Sequence, residues 1–256
     1  MKLFFKYIKN PVPFEYTEQF TIKIFFKTIG ICYFLFFISS AFLIVFNYLN
    51  QLPVYQKPDL NSMGNFLMII IFGPLFEEIL FRLNLKISKL NIAAFVSVLT
   101  MLIIKLLFIR EIKLQFYLYF GTLLLFALIY YTLNRYDISL NKIESFWKSN
   151  FKYIFHLFAI SFGMIHLTNF EQISWWMIAI TPLLTAPYIL MGYILGYIRM
   201  KYGFSYSLLI HSFNNLISTM FIMKNGLLAI LIIAILLSSY FMIQQLKKLI
   251  INSLNK

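Results

Sequence analysis

Runs of about twenty apolar residues, separated by short polar connectors, constrain this chain more than any other feature. A helix of about 20 apolar residues crosses the hydrocarbon core of a bilayer. Eight candidate spans fit that length, at 28–49, 63–84, 91–109, 116–134, 153–173, 175–198, 204–223 and 226–246. Backbone polar groups in lipid must be satisfied within the segment, so each run reads as a helix. The expected fold is all-α: one transmembrane domain over 1–256, a bundle of eight helices. Charged residues make up 12% of the chain, against about 25% in soluble globular proteins. That deficit excludes an ordinary soluble enzyme and excludes disorder. The single cysteine, Cys32, excludes an intramolecular disulfide framework and a multi-cysteine metal site.

A net charge of +13 invites a nucleic-acid reading, but the distribution opposes it. Lys and Arg fall mostly in the connectors, and no basic helix or arm interleaved with polar residues occurs. With both termini placed in the cytoplasm, 17 of the 22 Lys and Arg residues lie on the inner side, as the positive-inside rule requires. Three of the outer charges, Lys105, Arg110 and Lys113, cluster between the third and fourth spans, the pairing least supported by the count. The expected location is therefore a multi-pass protein of the cytoplasmic membrane. The Phe-, Ile-, Lys- and Asn-rich composition points to an AT-rich, bacterial genome. Residues 1–27 hold Lys2, Lys6 and Lys9 between Phe4, Phe5, Tyr7 and Ile8, without a small-residue cleavage site. They read as an interfacial cytoplasmic segment or as the positive flank that orients the first span.

Charged groups at mid-bilayer cost about 2.5–3.5 kcal/mol each, so the polar residues inside the spans are the informative ones. The second span carries Glu77, Glu78 and Arg82. Glu78 and Arg82 are four apart and face each other on a helix, which makes a buried ion pair. Glu77 points about 100° away without a local partner, an arrangement suited to general acid/base chemistry. The alternative is a solvated helix end. His166 shares a helical face with Phe162, and His211 shares one with Asn215. Each alone is as compatible with packing and interhelical hydrogen bonding. His156 reads as a packing residue, Gly192 and Gly196 as a close helix contact, and Trp175 and Trp176 as an interfacial belt. Together, one Glu, two His and one Asn on separate helices can activate water and hold an oxyanion in a polar intramembrane cavity.

Glu77-Glu78-Ile79-Leu80-Phe81-Arg82, Phe162–His166 and His211–Asn215 reproduce, in order, the motifs EExxxR, FxxxH and HxxxN. Gly192, Gly196, Tyr197 and Gly203 lead into the third. The pattern resembles the CPBP family of intramembrane proteases, also called the Abi or CAAX-protease family and related to the Ras-converting endopeptidase. The resemblance covers about 72–216. It implies a helical bundle with a conical cavity and peptide hydrolysis within it. By position, Glu77 with His166 activates the attacking water, His211 and Asn215 stabilise the oxyanion, and Glu78 and Arg82 support the site. It also implies either of two chemistries: a metal-free glutamate mechanism, or a divalent metal, zinc, held by Glu77, His166 and His211 with one open position. No HExxH occurs, so the soluble zincin geometry is excluded.

Two departures from the family pattern stand out. Leu83 follows Arg82 where the family has Gly. Glu77 and His166 stand 89 positions apart, which leaves room for an inserted helical hairpin near 95–150. Glu77 and His211 lie about 8–12 Å from the inner ends of their spans, but His166 lies near 20 Å from Lys152. The difference vanishes if the fifth helix begins in the cytosol near Glu144.

The sequence thus points to an intramembrane endopeptidase acting on membrane-anchored or hydrophobic peptides. The alternative is a non-catalytic scaffold or immunity protein of the same fold. A proton-coupled transporter using Glu77 as relay is less favoured, since no inverted repeat is apparent.

Overall fold

The computed structural model describes residues 2–13, 19–50, 62–108, 112–136, 139–170 and 177–220. The expected span at 226–246 and the Trp175–Trp176 belt lie outside them. The described residues are all-α, with no strand among them. Two of their segments, Tyr117–Arg135 and Phe151–Asn169, are long and apolar enough to cross a membrane.

Helix α1 (Lys2–Lys9) is followed by α2 (Ile22–Asn50) and α3 (Met63–Leu67). Thr21 Oγ1 accepts the Ile24 N–H to start α2, and Ser62 Oγ accepts the Asn65 N–H to start α3. The interfacial reading of α1 changes in one respect. Leu3 and Phe5 are exposed, but Tyr7 is buried against Phe155 and Tyr197 at ring separations of 5.4 and 5.3 Å. Its hydroxyl donates to the Val12 carbonyl at 2.9 Å.

The expected single helix over 63–84 is three pieces. After α3 comes a π-helical turn, Met68–Phe72, and then α4 (Gly73–Phe81). Gly73 donates its N–H to Met68 O, the i→i+5 pattern of a π turn. A Cβ at position 73 would stand 2.8 Å from that oxygen. Arg82 is the C-cap of α4, not an interior residue, and a 3₁₀ turn at Leu83–Leu85 follows.

Helices α5 (Lys89–Phe108) and α6 (Ile112–Arg135) pack on each other as an antiparallel hairpin. Ser88 Oγ caps α5 by accepting the Asn91 N–H at 3.1 Å. Helix α5 joins the hairpin to α4, and Phe76 stacks on Tyr119 at 5.8 Å. The helix expected to run on from Glu144 is divided. Helix α7 (Asn141–Ser149) is exposed, and Asn150 (φ −109°, ψ 12°) breaks the chain before α8 (Phe151–Ile165). The Glu144–Lys148 pair at 2.8 Å is solvent-facing.

Helix α8 packs lengthwise on α9 (Met177–Tyr202). A Cβ on Gly192 would meet the Ala159 carbonyl oxygen at 2.6 Å, and one on Gly196 would meet the Phe155 ring at 2.8 Å. The small residues are there because the two helices touch along them. Gly203, at φ 118°, takes the left-handed conformation that ends α9 and starts α10 (Phe204–Met220). The main core lies among α2, the π turn, α8, α9 and α10, with Phe25, Ile70, Phe162, Leu195 and Ile210 at its centre.

Candidate active site

Glu78 is fully buried, and so is Arg82, whose Nη1 lies 3.2 Å from Glu78 Oε1. Two such charges persist in an apolar interior only with well-placed partners. Glu78 has three. Beside Arg82, its Oε1 accepts from His211 Nδ1 at 2.9 Å, and its Oε2 faces the Ser207 hydroxyl. The Arg82 guanidinium lies over the Phe162 ring, 3.7 Å from its centroid. Arg199, from α9, donates Nε to the Arg82 carbonyl at 3.1 Å and Nη2 to the Leu83 carbonyl at 3.3 Å. These bonds hold the C-terminal end of α4 against α9.

With Nδ1 engaged by Glu78, His211 turns Nε2 toward Glu77 Oε2, 3.5 Å away. That oxygen is buried and has no hydrogen-bond partner. The rest of the Glu77 side chain is 29% exposed, so the carboxylate sits at the edge of the cluster. One carboxylate orients the imidazole and the other faces its free nitrogen.

His166 lies at the end of α8, not inside a helix as the span over 153–173 had it. Helix α8 stops at Ile165, and His166 opens a 3₁₀ turn, His166–Asn169. Its Nδ1 is 2.7 Å from the Phe162 carbonyl, and its ring stacks on Tyr188 at 4.2 Å. Bonding at a carbonyl makes Nδ1 the donor, which leaves Nε2 as the acceptor of the neutral ring. Glu77, His211 and Arg82 are all within electrostatic reach of His166. The histidine directly against Glu77 is His211. The Phe162 ring is the common wall. It meets His166 at 4.8 Å, His211 at 5.5 Å and Phe81 at 5.7 Å, each edge to face.

Asn215 shares the α10 face with His211, but its amide does not converge with the imidazole on one point. Nδ2 donates to the Ile69 carbonyl in the π turn at 3.0 Å. His156 stays outside the cluster, with Nδ1 3.0 Å from the Tyr193 hydroxyl.

Sequence reasoning passed over three contributors. Ser207 carried a signal, since it precedes His211 by four residues and extends the same face. Phe162 enters the sequence pattern only as half of the FxxxH motif. Arg199 carried none: in a basic connector it reads as an orienting charge.

The zinc reading can be set against the donor geometry. Among the described residues, no group of three or more His, Cys, Asp or Glu side chains is gathered to hold a metal ion. Glu77 and His211 face each other, and His166 makes its own contacts with the Phe162 carbonyl and the Tyr188 ring. Compared with models of known families, with characterised proteins and with solved structures, the chain matches none.

Proposed function

We propose that this chain is a multi-pass intramembrane endopeptidase that hydrolyses peptide bonds in membrane-anchored or hydrophobic peptides. The observation that carries the reading is the placement of His211 between Glu77 and Glu78 beside the buried Arg82. Its membrane setting is supported by the apolar surface of α6, where Leu123 is 66% and Leu128 62% exposed. Side chains of that kind belong in lipid rather than water.

In the proposed step, His166 Nε2 and Glu77 hold one water. Glu77 takes a proton as the water oxygen attacks the peptide carbonyl carbon. His211, oriented by Glu78 and held as the imidazolium between the two carboxylates, donates its Nε2–H to the oxygen that gains negative charge. Glu77 then returns the proton to the peptide nitrogen as the C–N bond breaks. No part of this sequence draws on a metal.

The test compares the termini of membrane peptides from host cells carrying the wild-type chain or Glu77→Gln at equal protein level. Full-length precursors that accumulate only with Glu77→Gln identify both the activity and its substrate. Matching profiles across growth conditions reject proteolysis and leave the non-catalytic scaffold as the better reading.

A further inference from the structure

The π turn has a defect that its own helix cannot repair. The Gly73 N–H goes to Met68 O. In the same i→i+5 pattern, the donor for Ile69 O would be the N–H of residue 74, and residue 74 is Pro. An unpaired carbonyl at this partly buried helix junction costs free energy approaching that of a lost hydrogen bond. The missing donor comes from another helix: Asn215 Nδ2, at 3.0 Å, occupies the place of the absent Pro74 N–H.

That bond also sets a register. A single π turn adds one residue to a helical turn, and everything after it rotates by about 100° relative to an unbroken α-helix. Glu77 and Glu78 are the fourth and fifth residues after Gly73. Without the added residue, Glu78 would turn away from Ser207 and His211, and Glu77 from His211 Nε2. Asn215 and His211 sit one turn apart on α10. The same helix therefore stitches the π turn and receives the carboxylates that the turn aims.

We infer that Asn215 is a positioning residue: its amide replaces the backbone donor lost at Pro74, holds the π turn at Met68–Phe72 and so fixes which face of α4 presents Glu77 and Glu78 to His211. The stitch is independent of any activity, whereas its consequence for catalysis rests on the proteolytic reading.

The test is a double-mutant cycle in the purified full chain, with Asn215→Leu and Pro74→Ala. Pro74→Ala restores a backbone N–H that can serve Ile69 O. Thermal unfolding reports the stitch, and ¹⁵N spectra of the three histidine rings report the register through His211. Asn215→Leu is expected to lower the midpoint by about 5 °C in the wild-type background and by about 1 °C in the Pro74→Ala background. It is also expected to shift the His211 ring signals. Equal losses in both backgrounds, or unchanged His211 signals, overturn the inference. If Asn215→Leu does not fold, recovery of folded protein on adding Pro74→Ala supports the stitch, and failure to recover overturns it. A coupled cycle in a chain with no proteolysis keeps the stitch and rejects the enzyme. An additive cycle in a chain whose precursors accumulate with Glu77→Gln keeps the enzyme and rejects the stitch.

Discussion

Glu78 and His211, 133 positions apart in the chain, are joined by a 2.9 Å hydrogen bond inside the protein. Arg82 closes the same carboxylate from the other side at 3.2 Å. The bond gives His211 a fixed orientation and leaves its second nitrogen free to face Glu77. The geometry at the edge of the cluster therefore depends on charges buried behind it.

Removing one member of the buried pair is expected to be severe. Arg82→Met leaves Glu78 without its guanidinium and should cost about 3–5 kcal/mol of stability. Adding Glu78→Gln removes the stranded charge and should restore part of the loss. Thermal unfolding of the two variants in detergent checks the direction, since the double variant must be the more stable.

Arg199 acts on backbone rather than on a charge. Arg199→Met removes two donors to the carbonyls of Arg82 and Leu83, with an expected cost of about 1–3 kcal/mol. The loss should be local. Hydrogen exchange should rise around 80–86 while the α5–α6 hairpin keeps its protection.

The α8–α9 contact should reject volume. Gly192→Val places side-chain carbons where the Ala159 carbonyl stands, and overpacking of this kind costs about 1–3 kcal/mol or more. Gly121, whose Cβ would meet nothing within 4 Å, is the control. Gly121→Ala should match the wild type in thermal unfolding, or exceed it slightly through helix propensity.

Chelation provides a separate check on the zinc reading. Once a cleaved precursor is identified, 1,10-phenanthroline or EDTA should leave its processing rate unchanged. A loss restored by zinc would mean that Glu77, His166 and His211 close around a metal, against the arrangement found here.

Topology can be read with cysteines. Cys32 is buried at 1% exposure and should give little background. A cysteine at Lys142, on the exposed helix α7, should react with an impermeant maleimide only after cells are opened, if the basic connectors are cytoplasmic. Labelling of intact cells would reverse the orientation.

Much of this molecule can be read from local pattern. The apolar runs specify helices because lipid-like interiors demand backbone hydrogen bonds within each segment. The four-residue spacing of Glu78 and Arg82 specifies their ion pair, and the four-residue spacing of Gly192 and Gly196 specifies a close helix contact. These are short-range relations, and helical geometry alone determines them. Helix ends are less accessible. The π turn, the end of α8 at Ile165 and the break at Asn150 each depend on which polar group reaches a particular carbonyl or on a local backbone angle.

Partner choice was decided in three dimensions. Glu77 faces His211 rather than His166, Ser207 meets Glu78, and Arg199 holds the end of α4. Asn215 serves the π turn instead of sharing a point with the imidazole. Sequence alone determined an all-α chain with a small set of ionisable residues in its apolar runs. Only the tertiary structure decided how they pair, because buried charges take whichever partners the packing of distant helices brings within hydrogen-bond reach.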